Sequence, residues 1–204
     1  MADGIFNKKK DCKRVLVAPL DWGLGHATRC IPIIYELLEQ GCSVIIAASG
    51  PTEILLKKEF PELIFLPLKG YAVRYSKKKS WLPLTIFFQI PSIITSICYE
   101  HCWLKKIVKE KDIDLVISDN RFGLYHATIP SVYITHQLLI KTGDRFTENI
   151  AQQIHFHFIK KFTQCWVPDA EENNNLAGEL SHPKKHPDNI KYIGPLSRFE
   201  KKND

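Results

Sequence analysis

The stretch RVLVAPLDWGLGH, residues 14–26, joins a short apolar run to a glycine-containing turn. Arg14–Pro19 is rich in β-branched and aliphatic residues, which is typical of a buried strand. Gly23 and Gly25 follow in the turn, and apolar residues then recur at helical spacing until Gly41. This order predicts a strand, a tight turn and a helix.

The same alternation repeats along the chain. Further apolar runs predict strands at 43–48, 63–68, 114–119, 131–136, 164–169 and 191–194. Helices are predicted at 52–60, 81–90 and 92–111, and around 146–162, where an apolar residue recurs every fourth position. Strands separated by helices indicate right-handed crossovers, and continuous apolar strands indicate burial on both faces. We therefore predict a single Rossmann-like α/β domain with a mostly parallel sheet covered by helices on both faces.

Length and composition fit one domain. The chain has 204 residues, 45% of them hydrophobic, and a formal net charge of +6. We expect a basic tail over 1–13, the domain over 14–196 and the start of an interdomain linker at 197–204. Basic runs such as Lys8–Lys10 and Lys77–Lys79 are either solvated surface or a contact for an anionic ligand or a lipid surface. We expect no nucleic-acid partner.

The cysteines predict a reduced protein without a structural metal. Cys30, Cys42 and Cys165 lie inside apolar patterns and are expected in the core. Cys98 and Cys102 flank His101, but no second Cys/His pair stands at zinc-finger spacing, so we predict no metal site. With no secretory leader visible, a cytosolic setting is expected.

Candidate site residues follow from the position of the loops. Ligands of parallel sheets bind beyond the carboxyl ends of the strands, which selects the loops at 20–29, 119–123, 136–144 and 169–173. His26 stands at a helix start, where the positive helix end favours a neutral imidazole able to act as a base; the alternative is a capping or packing histidine. Asp119 ends a predicted strand and either orients His26 or caps a turn.

Other polar and glycine residues of the same loops are predicted to contact the substrate. Glycines allow close backbone approach, and a density of hydrogen-bonding groups suits a polyhydroxylated ligand. The predicted contacts are Gly23, Gly25, Thr28, Arg29, Asn120, Arg121, His136 and Gln137. Thr28 replaces the third glycine of the dinucleotide fingerprint, and no acidic residue ends the second strand, which argues against a self-contained dinucleotide-binding domain.

An apolar stretch, residues 81–99, directly follows a lysine cluster. Pro83, Pro91 and several polar residues within it argue against a membrane span. The stretch either touches an anionic membrane peripherally or packs on the sheet and closes the acceptor cleft. The residues predicted for membrane contact are Lys77, Lys78, Lys79, Trp81, Phe87 and Phe88.

Five blocks together carry a family resemblance. Residues 17–33, 118–123, 133–137, 165–169 and 192–198 resemble the N-terminal half of GT-B glycosyltransferases, closest to a bacterial group related to the MurG-type N-acetylglucosaminyltransferases. The resemblance implies an acceptor-binding domain facing a second, donor-binding one. It also implies that His26 deprotonates the acceptor hydroxyl with help from Asp119, in an inverting reaction that needs no metal or other cofactor.

The resemblance therefore implies the acceptor-binding half of an inverting, nucleotide-sugar-dependent glycosyltransferase. It would transfer a hexosyl or N-acetylhexosaminyl group to a glycan or lipid-linked acceptor, in the cytoplasm or peripherally at the inner face of the membrane. The donor, a UDP-linked sugar, would be held mainly by a second domain that this sequence lacks. The chain is then a truncation, a subunit working with a separate donor-binding chain, or a remnant. The alternative is a noncatalytic scaffold that recruits such a chain to a membrane.

Overall fold

A parallel α/β sheet organises the chain. The computed structural model describes residues 13–71, 82–141, 143–171 and 176–196, with the helical backbone alone for 82–88. Within these residues seven strands form one sheet, and every neighbouring pair is parallel. The strands are β1 (Arg14–Pro19), β2 (Ser43–Ala48), β3 (Ile64–Pro67), β4 (Leu115–Asp119), β5 (Ser131–Ile134), β6 (Gln164–Val167) and β7 (Ile190–Tyr192). The helices are α1 (Leu24–Glu39), α2 (Gly50–Glu59), α3 (Leu82–Glu110) and α4 (Arg145–Ile159). The predicted fold class is confirmed.

The strand order is β3-β2-β1-β4-β5-β6-β7. The chain builds outward from β1 to β3, then returns through α3 to place β4 on the other side of β1. Loops after β1 and β4 therefore leave the sheet in opposite directions and open a crevice between them. This reversal of strand order marks the expected ligand-binding position of the fold.

Alternate side chains of each strand supply two core layers. Val15 and Val17 face the layer formed with α1 and α2, whereas Leu16 and Ala18 face the layer formed with α3. Helix α4 covers β5 and β6 on the same face as α3, where Tyr133 is buried. The predicted core thiols are buried: Cys30, Cys42 and Cys165.

Helix α3 departs from the prediction because it is one helix rather than two. The sequence predicted separate helices at 81–90 and 92–111, since Pro91 lacks the N–H that a helix interior requires. The observed helix continues through Pro91. Pro91 is exposed, and a proline inside a helix removes one hydrogen bond and bends the helix without necessarily ending it.

Helix α4 forms where expected, but only the end of the predicted apolar stripe faces the core, where Phe158 is partly buried and Phe162 is buried. Phe146 is 72% exposed, and Ile150 and Ile154 are also exposed, while His155 and Ile159 are buried. Four residues advance the helix by 400°, so each repeat drifts about 40° around the axis. A strict four-residue pattern therefore leaves the buried face within three turns.

Candidate active site

The carboxyl ends of β1 and β4 lie side by side at the reversal of strand order. Pro19 is paired with Asp119 in the parallel register, and the Leu20 N–H donates to the Asp119 carbonyl at 3.1 Å. Helix α1 begins five residues after β1, which places His26 in its first turn. Two residues 93 positions apart in sequence are thereby brought to one edge of the sheet.

His26 and Asp119 form a hydrogen-bonded pair. Nδ1 of His26 lies 2.9 Å from Oδ2 of Asp119. The Asp119 side chain is fully buried, while that of His26 is 17% exposed. When Nδ1 donates its proton to the carboxylate, Nε2 carries the lone pair. Among the described residues Nε2 has no hydrogen-bond partner, so this nitrogen is free to accept a proton.

Arg29 lies one helical turn after His26 and contacts the same carboxylate. Its Nη2 is 2.9 Å from Oδ1 and 3.2 Å from Oδ2 of Asp119, and 2.9 Å from Nδ1 of His26. A guanidinium only donates, so Nδ1 of His26 cannot give its proton to Asp119 and accept one from Arg29 at once. The position of Arg29 therefore bears directly on the tautomer of His26.

Arg29 also reaches the loop after β5. Its Nη1 lies 2.9 Å from Nδ1 of His136. Because the guanidinium donates, Nδ1 of His136 accepts, and the neutral ring holds its proton on Nε2. Burial lowers the pKa of His136, and the charge of Arg29 lowers it further. With Nδ1 occupied by Arg29, Nε2 is the nitrogen of His136 left to donate a hydrogen bond beside the pair.

Asn120 follows Asp119 in a left-handed backbone conformation, with φ of 56°. This turns its amide back, so that Nδ2 is 3.3 Å from Oδ1 of Asp119. The Tyr133 hydroxyl donates to the Asn120 side-chain oxygen at 3.2 Å. Asn120, expected as a substrate contact, thus also holds the carboxylate. Sequence reasoning did not select Tyr133 as a site residue, although the block 133–137 that carries the family resemblance begins with it.

The glycines border open space. A Cβ built on Gly23 or Gly25 would meet nothing within 4 Å. Their small size is thus not required by packing within the described residues, and it leaves the backbone open to a ligand. The Thr28 hydroxyl donates to the Gly25 carbonyl at 3.1 Å inside the helix turn. Gln137 is half-buried nearby, and no contact joins its side chain to the pair within the described residues.

Arg121 differs from its expected role. Its side chain is fully buried, so it offers no surface to a substrate. Nε donates to the Pro19 carbonyl at 3.0 Å, and Nη1 donates to the Lys69 carbonyl at 3.0 Å and to Glu100 at 2.8 Å. Nη2 donates to the Leu68 carbonyl at 3.3 Å. Arg121 is a structural residue that ties the loops beneath the site together.

Glu100, on α3, completes this buried network. Its Oε2 accepts from the Tyr71 hydroxyl at 2.7 Å and from the Gly123 N–H at 3.0 Å. Burial raises the pKa of Glu100, although the charge of Arg121 and these hydrogen bonds oppose the rise. No local sequence pattern indicates this network, because its members lie on four separate segments.

Two other loops predicted to lie at the ligand-binding edge, 136–144 and 169–173, are fixed by internal contacts. The N–H groups of Leu138 and Leu139 donate to the Leu180 carbonyl at 2.7 and 2.9 Å. The Asp169 carboxylate accepts from the Ser181 hydroxyl and from the N–H groups of three loop residues, Ala170, Leu176 and Ala177. Burial raises the pKa of Asp169, but these hydrogen bonds outweigh it and bring the pKa to about 2. Asp169 is therefore committed to its own loop.

Two remaining predictions concern metals and membranes. The residues that the structure describes contain no group of His, Cys, Asp and Glu able to hold a metal, and Cys98 and Cys102 are exposed free thiols. None of the described helices is long and apolar enough to cross a membrane. The predicted membrane contacts lie outside the described residues or side chains: Lys77, Lys78, Lys79, Trp81, Phe87 and Phe88.

Similar folds occur among solved structures. No protein-family model and no curated protein sequence matches the chain. UGT2 from Phytolacca americana, complexed with UDP-2fluoro-glucose and pterostilbene, matches with a TM-score of 0.58 at 11% identity, over 92% of this chain and 55% of its own. UGT89C1 from Arabidopsis thaliana, complexed with UDP-L-rhamnose, gives 0.58 at 13% identity, over 94% and 54%.

A protein named for a different reaction shares the fold. A putative UDP-N-acetylglucosamine 2-epimerase from Listeria monocytogenes matches with a TM-score of 0.51 at 13% identity, over 89% of this chain and 45% of its own. At such identities the likeness shows the fold alone. The chain spans about half the length of these structures, and its fold is the Rossmann-like fold of a half of the GT-B glycosyltransferases.

Proposed function

We propose that the chain is the acceptor-binding half of an inverting, nucleotide-sugar-dependent glycosyltransferase. The observation that carries the proposal is the 2.9 Å contact between Nδ1 of His26 and the buried Asp119 carboxylate. A histidine fixed in this way at the ligand-binding edge of the sheet has the geometry of a general base with its orienting group. The reaction would move a hexosyl or N-acetylhexosaminyl group to a glycan or lipid-linked acceptor.

The proposed chemistry is a single displacement. Nε2 of His26 takes the proton of the acceptor hydroxyl while that oxygen attacks the anomeric carbon of the donor. The bond from this carbon to the nucleotide diphosphate breaks, the diphosphate leaves with the electron pair, and the anomeric configuration inverts. Asp119 stabilises the imidazolium that forms. No residue of this scheme requires a metal.

Arg29 has a defined part in this scheme. Its charge balances the buried carboxylate before the reaction, and it competes with His26 for the same oxygen of Asp119. The base is ready when Nδ1 of His26 donates to Asp119, because only that tautomer leaves the lone pair on Nε2. We expect the acceptor to draw Arg29 toward its own hydroxyl or phosphate oxygens and so favour this tautomer.

The donor site and the cellular setting extend the proposal. The structures matched are about twice as long as this chain, and two were solved with UDP-linked ligands. We therefore propose that a UDP-sugar is bound mainly by a second half, either in the same polypeptide or in a separate chain. As part of the same proposal, the protein is located in the cytoplasm and contacts the membrane peripherally.

Substitution of His26 tests the base. With the chain assembled with its donor-binding half, His26→Ala is expected to lower kcat by about 10²–10⁴, the usual share of a general base, with little change in acceptor KM. His157→Ala is the matched control, because His157 is exposed on α4. Product formation is measured with radiolabelled UDP-sugar. Unchanged kcat in His26→Ala would refute the proposed base.

Calorimetric titration tests the division of labour. The 204-residue chain is titrated with UDP and UDP-sugars to millimolar concentration, and no binding is expected if the nucleotide site lies in the other half. Clear binding would place the nucleotide site within these residues and contradict the proposal.

The scaffold alternative predicts a different result for His26. If the His26→Ala chain keeps full activity and still binds the partner chain, the scaffold alternative is favoured.

A further inference from the structure

A second concave site lies on the face of the sheet that α3 and α4 cover. The pocket has a volume of about 520 Å³ and is lined by residues of α3, of the loop after β4 and of the segment after α4. That volume falls in the range of small-molecule sites, about 300–1,000 Å³. The lining residues are His101, Lys105, Lys109, Tyr125, His126, Ala127 and Lys161.

The pocket lies away from the candidate active site. Helix α3 ends at Glu110, just before β4 begins, so Lys105 and Lys109 lie toward the amino ends of the strands. Lys161 follows the end of α4 and precedes β6, at the same end of the sheet. His26 stands at the carboxyl ends, on α1, which covers the opposite face.

The charge of the pocket is not neutralised by its own lining. Three lysines and two histidines line it, and none of the described residues that line it carries a carboxylate. Lys106, the neighbour of Lys105, pairs with Glu110, whereas Lys105 and Lys109 have no ion pair within the described part of the chain. Like charges four residues apart on a helix repel and destabilise it slightly. Lys105 and Lys109 stand at this spacing beside the pocket.

Two of the pocket's donors are held in place by their neighbours, and the Lys161 ammonium also donates to the Tyr125 hydroxyl at 3.3 Å. The Lys161 ammonium is held over the Tyr125 ring, 4.9 Å from its centroid, and Tyr125 stacks on His101 at 4.3 Å. The Thr128 N–H donates to Nδ1 of His126 at 3.3 Å. Neutral His126 therefore holds its proton on Nε2, which makes that nitrogen a donor.

The two histidines respond to the surrounding charge. Burial lowers the pKa of His126, and the charges of His101, Lys105 and Lys109 lower it further. Burial also lowers the pKa of His101, with Lys105 and Lys161 acting in the same direction against two backbone carbonyls. A bound anion would offset this repulsion and raise both values.

We infer that this pocket binds a small phosphorylated molecule through its phosphate or pyrophosphate group. Ammonium groups and an imidazole N–H are the donors that phosphate oxygens accept most strongly. The volume exceeds that of one phosphate, which leaves room for an attached sugar or headgroup beside Tyr125 and Ala127. The inference does not rest on the proposed function, because the two sites share no residue.

Calorimetry with two soluble probes, inorganic pyrophosphate and glucose 1-phosphate, tests the site on the full chain. Lys105→Ala/Lys109→Ala is expected to weaken binding at least about tenfold, equal to about 1.4 kcal/mol. Lys57→Ala/Lys58→Ala removes the same charge from α2, on the opposite face, and is expected to bind like the unchanged chain. Both pairs are exposed, so folding should be retained, which circular dichroism verifies.

Two further arms locate the ligand and identify its source. In NMR titrations the ring signals of His101 and His126 should shift on adding pyrophosphate, while those of His26 stay fixed. Binding of the protein to vesicles with and without phosphatidic acid distinguishes a lipid phosphate from a soluble one. If binding to the phosphatidic acid vesicles is lost in Lys105→Ala/Lys109→Ala, the ligand of the site is a lipid phosphate. Absence of binding to every probe, equal weakening in both double variants, or shifts confined to His26 would each overturn the inference.

Discussion

Arg121→Met separates a structural role of this arginine from a role in binding substrate. The change keeps an apolar stem but removes the donors to three backbone carbonyls and to Glu100. Removing one partner of a buried ion pair costs about 3–5 kcal/mol, because the remaining charge is left unpaired in the interior. For a domain of this length each kcal/mol lowers Tm by about 2–4 °C, so Tm should fall by roughly 6–20 °C.

Protonation of Glu100 limits the loss of stability in Arg121→Met. Burial already raises the pKa of Glu100 while Arg121 opposes the rise, so without the guanidinium the carboxyl becomes easier to protonate. The penalty of Arg121→Met should therefore be smaller at pH 5 than at pH 8. Urea unfolding at both pH values measures it, with Arg145→Met, an exposed arginine of α4, as the control. An Arg121→Met protein of unchanged stability that has lost acceptor binding would refute the structural role.

Three further predictions concern stability. Burial lowers the pKa of His155 to about 4 from an ordinary 6.5, so its stabilising neutral state is present above pH 6.5 and lost as the pH falls toward 4. At pH 5 this costs about 2 kcal/mol, and His155→Phe should remove that part of the pH dependence in urea unfolding; an unchanged pH dependence would contradict it. Gly25→Ala should leave Tm unchanged or raise stability by up to about 1 kcal/mol, since the site is helical and open. Gly123→Ala should lower Tm by several degrees, because its Cβ would meet the Ile97 carbonyl; equal Tm values for the two glycine variants would refute the packing argument.

Local pattern was enough to predict the sheet. Buried strands of a parallel sheet consist of continuous apolar residues, and that signal stands out wherever two helices cover both faces. The predicted ends of β5 and β6 overran by two residues, since His136 and Asp169 lie in the loops beyond Ile134 and Val167. Strand ends are set by hydrogen bonding to a neighbour, which the sequence of one strand does not contain.

The candidate pair was predictable for a topological reason. A residue just after β1 and a residue at the end of β4 meet whenever strand order reverses between those strands. Arg121 could not be separated from Asn120 in the same way, although the two are adjacent in sequence. The left-handed conformation of Asn120 turns its side chain toward Asp119, whereas the buried Glu100 carboxylate on α3 holds Arg121 in the interior. Both arrangements depend on tertiary packing.

The pairing of β1 with β4 also governs when the candidate active site can exist during folding. The aligned residues of these strands are 100 positions apart, so their pairing closes a long loop and carries a correspondingly large entropic cost. Before that pairing forms, His26 has no Asp119 carboxylate beside it. A ribosome-bound chain whose Asp119 is still inside the exit tunnel therefore lacks the candidate pair. The change in the ring signal of His26 on gaining Asp119 would report completion of the central sheet.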